Sequence, residues 1–301
     1  MTFLGMAGPV NLPAGSVHVG VFPQLAAVRY TSSDGLPGPI SSIACSGDRV
    51  FVRTAQGDLV LDGSRWRAVR AGEAYPEPAA RPPVAGPGGR TILSAAPTPA
   101  GEWWAVTDDG TFRLSDGQWK PLGLPTAYVA HQPMPNIDLE IRQVLADPSG
   151  HVWLATTFGA YMTDGRDWWQ PIDRTDGMPY QILNCLALAP NGDLWGGTDE
   201  GAWRMRNGEF RYFWGKRWLP GNRVSAISVD SGSRTWLATD NGVAMIEERP
   251  MTLPEKAEHL ETITSARHNR SGWIAGCSLK VPGKPEEGFT HHASDNDGLW
   301  T

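Results

Sequence analysis

Hydrophobic and polar positions alternate along this chain in short runs, and the runs recur. ISSIACS (40–46), IRQVLAD (141–147), ILNCLALA (182–189) and VSAISVD (224–230) each show the period of two expected of a strand with one face buried. Each is followed within a few residues by GDRVFVRTAQG (47–57), GHVWLATTFG (150–159), GDLWGGTDEG (192–201) or GSRTWLATDNG (232–242), and a fifth copy stands at GEWWAVTDDG (101–110). The shared skeleton is Gly, two or three residues, an aromatic, two residues, Thr, two residues, Gly. The aromatic is Phe51, Trp104, Trp153, Trp195 or Trp236, and the Thr is Thr54, Thr107, Thr156, Thr198 or Thr239.

Downstream of each copy the pattern predicts a third strand, a tight turn and a fourth strand. The turn is spelled Asp62-Gly63, Asp116-Gly117, Asp164-Gly165 or Asn207-Gly208. Asp-Gly and Asn-Gly between alternating runs are strong hairpin signals because both residues tolerate positive φ. The fourth strand carries Trp66, Trp119, Trp169 or Phe210. Between units stands a Leu-Pro or Met-Pro step (Leu36-Pro37, Leu124-Pro125, Met178-Pro179, Leu219-Pro220, Leu253-Pro254), and Pro belongs in a connection because it cannot donate to a ladder. The repeat therefore predicts an all-β chain: a β-propeller of four-stranded antiparallel blades, each with its large aromatic on the second strand.

The aromatics are spaced 53, 49, 42 and 41 residues apart. The two long intervals hold insertions at 71–89 and 126–138, both in the connection between blades and hence expected on one face. Six blades are expected, with seven as the alternative. Leu253-Pro254, HLETITSA (259–266) and SGWIAGC (271–277) suggest a sixth unit at about 259–278, completed by strands from residues 15–30 so that both termini close the ring. On this reading the propeller spans 1–280, and 281–301 forms an irregular tail that could open a further domain.

The unit DGLP…V..I..D..G.LW.GT..G…..DG..W resembles the two-component regulator propeller repeat over residues 31–248. That family occurs in extracellular sensor regions of bacterial hybrid histidine kinases and beside carbohydrate-active domains. The resemblance implies a sensing or binding module and a periplasmic or extracellular setting. Blade one departs from it, with Phe51 for Trp and Arg53 for a small residue.

Composition narrows the partners. The net charge is −6 with no Lys/Arg cluster, which argues against a nucleic-acid partner. No apolar run reaches the roughly 18 residues of a membrane span. The start, MTFLGMAGPVNLPAG, has no basic segment followed by an unbroken apolar one, so without the resemblance the expectation is cytoplasmic. Cys45, Cys185 and Cys277 are too scattered for a disulfide framework or metal site and read as structural thiols. The seven His show no chelating spacing, so no metal and no cofactor is expected.

Carboxylate pairs such as Asp108-Asp109 and Asp199-Glu200 recur in register and read as turn formers. Candidate binding residues are Tyr128 and His131 in the second insertion, with Trp214, Arg217 and Trp218 in the connection WGKRWLP. Aromatic platforms beside cations suit sugar rings or peptides. The expected function is a non-catalytic module engaging a saccharide, a peptide or a partner domain on its loop face. A carbohydrate-active lyase or hydrolase, with unidentified catalytic residues, and a protein-interaction scaffold are the alternatives.

Overall fold

The structure, a computed structural model, describes residues 20–77, 81–122, 139–165 and 169–264, with side chains to residue 260. Among these residues, twenty strands form five four-stranded antiparallel sheets. Blade one contains β2 (Ile40–Ser46), β3 (Arg49–Thr54), β4 (Gly57–Asp62) and β5 (Arg65–Ala68). Blade two contains β6 (Ser94–Pro97), β7 (Trp103–Thr107), β8 (Gly110–Ser115) and β9 (Gln118–Leu122). Blade three contains β10 (Ile141–Ala146), β11 (Val152–Thr156), β12 (Gly159–Thr163) and β13 (Gln170–Ile172). Blade four contains β14 (Leu183–Leu188), β15 (Leu194–Thr198), β16 (Gly201–Arg206) and β17 (Glu209–Phe213). Blade five takes β18 (Val224–Val229), β19 (Thr235–Thr239) and β20 (Gly242–Met251) from one stretch, and its fourth strand from β1 (Phe22–Tyr30).

The Thr-x-x-Gly of the repeat has a specific cause. Thr156, Thr198 and Thr239 each donate their hydroxyl to the carbonyl of the closing Gly, at 2.7, 2.9 and 2.8 Å, and each accepts the N–H two residues on. One side chain thus closes the turn between second and third strands. The closing Gly has positive φ, and a Cβ there would strike the last carbonyl of the fourth strand. At Gly159 and Gly201 it would lie 2.5 Å from the Ile172 and Phe213 carbonyl oxygens. At Gly242 the same collision is with the Tyr30 carbonyl, so Tyr30 stands where a fourth strand ends and β1 completes blade five.

That pairing corrects the expected closure. Residues from the N-terminal stretch do finish a blade, but their partner is β20 at 242–251, not a unit at 259–278. Residues Leu253–Thr264 form helix α1 instead of a strand. The Thr252 hydroxyl accepts the Glu255 N–H, and the Glu255 carboxylate accepts the Thr252 N–H at 2.7 Å: a capping box that starts a helix. Pro254 falls in the first turn, where its missing donor costs nothing. Five sheets, not six or seven, stand among the described residues; the rest of the expected sixth unit and the tail lie outside them.

The repeat aromatics sit in register on second strands, opposite Ala44, Ala96, Leu145, Ala187 and Ser228 of the inner strands. All five are buried. Trp104, Trp153, Trp195 and Trp236 belong to the apolar clusters between blades two and three, three and four, four and five, and five and one. Phe51 differs: its cluster joins blade one to Tyr75 and Val69 of the 69–93 connection. That connection reaches blade two through Trp119 Nε1, which donates to the Ala85 carbonyl at 2.7 Å, and through Arg90 with Asp109 at 3.0 Å. The first insertion is therefore a wedge between blades one and two.

The recurrent Asp-Gly-Leu-Pro is a single 3-10 turn. Thr31 and Asp173 donate their N–H groups to Asp34 and Asp176, and Gly35 and Gly177 take φ of 97° and 94°. Leu36 and Met178 are then driven into the cores below. Cys185 is buried and Cys45 partly so, and burial pushes their thiols up to about 12 and about 11.

Two junction Trps are capped by a carboxylate six residues upstream. Trp153 Nε1 donates to Asp147 at 3.2 Å and Trp236 Nε1 to Asp230 at 3.0 Å. Burial raises the pKa of both acids, but the indole donors, His151 on Asp147 and Arg234 on Asp230 outweigh it and hold both below the usual carboxylate range. A depressed folded pKa contributes stability above the unfolded value of about 4 and loses it as pH falls through the folded value. The urea midpoint should therefore drop between pH 5 and pH 2.5, and Asp230→Asn should lower it at pH 7 and flatten that dependence. An unchanged acid slope in the variant would remove Asp230 from the account.

Candidate functional site

The described connections between blades lie on the same face as the Thr-x-x-Gly turns. Arg90 meets Asp108 and Asp109, Arg223 meets Asp199 at 3.2 Å, and Asn241 donates to the Pro220 carbonyl. The Asp-Gly hairpins occupy the opposite face. On the connection face each of four inner strands carries a bulge at the same place, shifting register around Ser41, Arg142, Asn184 and Ser225. A bulge re-aims one side chain out of the pleat, and here it sends three of the four toward the next inner strand. Arg142 donates to the Leu183 carbonyl and to Asn184 Oδ1. Asn184 donates to the Val224 carbonyl at 3.0 Å, and Ser225 to the Ile40 carbonyl at 2.8 Å. Ser41 bonds within its own blade, to the Arg53 carbonyl, at the side where the wedge enters.

These residues make a polar rim at the mouth of the ring. Its charges are locally paired: Arg142 with Glu140 at 3.1 Å, Asp199 with Arg223 and with Asn184 Nδ2 at 2.9 Å. Each guanidinium retains further donor capacity and each carboxylate further acceptor capacity. Ser41, Ser225 and Arg223 are exposed, while Arg142, Asn184 and Asp199 are half-buried.

The structure distributes the sequence-derived candidates unevenly. Tyr128 and His131 lie outside the described residues. Trp214 is half-buried. Trp218 is buried in the cluster between blades four and five, edge-on to Phe213 at 5.1 Å, so it is a core side chain and not an exposed platform. Arg217 lies over the Trp218 ring at 4.8 Å from its centroid, and burial lowers its pKa. Tyr75, an off-register aromatic, is buried in the wedge, with its hydroxyl 2.6 Å from Ser42 Oγ and the Arg53 guanidinium over its ring. The rim residues were missed, although a sequence signal exists: Arg142, Asn184 and Ser225 each stand eleven residues before their blade's Trp.

Sequential four-stranded sheets, packed through their inner strands from blade two to blade five and from blade five back to blade one, with the wedge between blades one and two, define the architecture. The chain is a β-propeller. No protein-family model and no curated protein matches it. Among solved structures the propeller is similar to a protein of unknown function from Bacteroides thetaiotaomicron, at 10% identity and TM-score 0.52, over 76% of this chain and 77% of that one. It is also similar to the extracellular domain of the BT4673 hybrid two-component system from B. thetaiotaomicron, at 20% identity and TM-score 0.45. That match covers 70% of this chain but only 27% of the longer one, so the propeller spans about a quarter of that protein domain. Virginiamycin B lyase from Staphylococcus aureus is similar at 13% identity and TM-score 0.42, over 77% and 75% of the two chains. At these identities the likeness is one of fold. Among the described residues no three His, Cys, Asp or Glu side chains converge to hold a metal ion, and no helix is long and apolar enough to cross a membrane.

Proposed function

We propose that this propeller is a non-catalytic recognition or sensing module that takes a neutral, polyhydroxylated ligand, a saccharide, at the mouth on its connection face. The observation that carries this reading is the rim of bulged inner-strand residues. Ser41, Arg142, Asn184 and Ser225, flanked by Glu140, Asp199 and Arg223, present closely spaced donors and acceptors whose charges are already paired. A charge-balanced polar ring matches hydroxyl groups better than it matches a net ion. Tyr128 and His131 from the second insertion, with Trp214 and Arg217 nearby in chain position on another connection of this face, are proposed to extend the site. Trp218 supports that loop from below.

Glycan-array binding of the purified chain tests the reading. An Arg142→Ala, Arg223→Ala double variant should lose the captured glycan by roughly tenfold or more, since hydrogen bonds to charged groups contribute about 1.5–3 kcal/mol each. Its thermal midpoint should show that the fold survives. Release of reducing sugar or unsaturated uronate from a bound glycan would move the chain to the enzyme class. Capture unaffected by the double variant would move the site away from the mouth.

A further inference from the structure

A second site lies on the opposite, hairpin face, where blades four and five meet. A cleft of about 200 Å³ opens there, lined by Trp195, Arg204, Arg206, Arg234, Glu247 and Glu248, with Asp193 in its wall. Its origin is a missing side chain. In every blade with a Trp on its second strand, the residue six positions before that Trp donates its backbone N–H across the same turn: Thr98 to Glu102, Asp147 to His151, Ala189 to Asp193, Asp230 to Arg234. In blades three and five this residue is the Asp that caps the indole. In blade four it is Ala189, buried and with nothing to offer. Trp195 is only 3% exposed, and no acceptor stands against its Nε1 among the described residues.

The neighbouring charges have rearranged around that vacancy. Asp193 is held by Arg206 in a two-pronged pair, both contacts 2.7 Å, and by Asn191 at 3.2 Å. Glu248 accepts Arg206 at 3.0 Å. Arg204 is left with long contacts only, 3.5 Å to Glu248 and 3.7 Å to Asp193, and its Nε is buried without a partner. Burial, followed by the adjacent Arg206, disfavours the charge of Arg204. Arg234 borders the cleft through its backbone turn and keeps its guanidinium on Asp230, beside Trp236 on the blade-one side. An indole N–H and the incompletely used Arg204 guanidinium, paired across β15 and β16, thus face the place where blades three and five supply a carboxylate. Glu248 stands on the facing strand β20, on the same face as Ile246. Two cations, Arg204 and Arg206, and two carboxylates, Asp193 and Glu248, face one another in the cleft, so a ligand with one net charge of either sign gains on one side and loses on the other.

We infer that this cleft binds a small zwitterion of the α-amino-acid type, with its carboxylate on Trp195 Nε1 and Arg204 and its ammonium group toward Glu248. The bound carboxylate takes the place of the Asp that blade four lacks. This site is independent of the mouth.

The test is titration calorimetry of the full chain with each proteinogenic L-amino acid, and with acetate and methylammonium as single-charge probes. At least one amino acid should bind, and both single-charge probes should bind at least tenfold more weakly. Ala189→Asp, which installs the repeat's own cap, should weaken that binding at least tenfold without lowering the thermal midpoint. Glu248→Gln, at the half-exposed edge of the cleft, should weaken it severalfold and serves if the first variant does not fold. The Arg142→Ala, Arg223→Ala mouth variant should bind the amino acid normally. Binding by none of the amino acids, acetate binding as tightly as they do, or undiminished binding in Ala189→Asp or Glu248→Gln overturns the inference.

Discussion

Trp236→Ala should lower the stability of the chain by about 3–5 kcal/mol, the range for removing a large aromatic from a packed core. The side chain is 3% exposed and fills the junction between blades five and one, stacked on Tyr30 with ring centroids 6.1 Å apart. Its loss leaves a cavity beneath Leu36, Val50 and Val52. It also removes one of the donors that hold Asp230, whose side chain has no exposed surface. Two penalties therefore add, an empty volume and a buried carboxylate with fewer hydrogen bonds. Because this junction closes the ring, equilibrium urea unfolding should show a lower midpoint in one cooperative transition. A loss below about 1 kcal/mol would mean that the junction collapses onto the gap, and the Trp would not be the wedge described here.

A larger effect is expected from deleting residues 1–30. The ladder between β1 and β20 runs through nine residue pairs, from Phe22 with Met251 to Tyr30 with Val243. Removing it strips Ala27 and Tyr30 from two apolar clusters and bares the edge of a ten-residue strand. An unpaired edge of that length templates association. Light scattering after size-exclusion chromatography should show oligomers or aggregate where the full chain gives one species, with a depressed thermal midpoint. A monomeric truncation of unchanged midpoint would show that β1 is dispensable.

Most of the architecture was legible in the sequence because the repeat encodes interactions that every blade needs. Thr-x-x-Gly records a side-chain-closed turn against which the fourth strand ends, and the Trp records a junction to the next blade. What misled was the end of the pattern. Directly after β20, where the other blades turn into a fourth strand, the chain offers no Asp-Gly or Asn-Gly step, which was the sign that blade five lacks a fourth strand of its own and borrows one. Leu253-Pro254 looked like another blade connection, but Thr252 and Glu255 around it spell a helix start. Trp218 looked like a platform because its loop is polar on both sides; a tight turn with two N–H groups on the Gly215 carbonyl tucks it under Phe213. The rim residues escaped because a lone polar residue in an alternating strand looks unremarkable until the bulge that re-aims it is known. Ala189 escaped for a related reason: its meaning is an absence, visible only beside Asp147 and Asp230.

The pairing of β1 with β20 also decides how the ring responds to tension. Residues 22 and 251 sit side by side at one end of an antiparallel ladder. A load that pulls them apart acts across the strands and not along them, so it meets the hydrogen bonds a pair at a time and peels blade five open. Pulled in that direction, the closure is thus a zipper. Pulling between residues 30 and 251 instead shears the same strands and engages the whole ladder together. Whatever is attached on either side of this ring, the direction from which it tugs sets whether the last blade holds or opens.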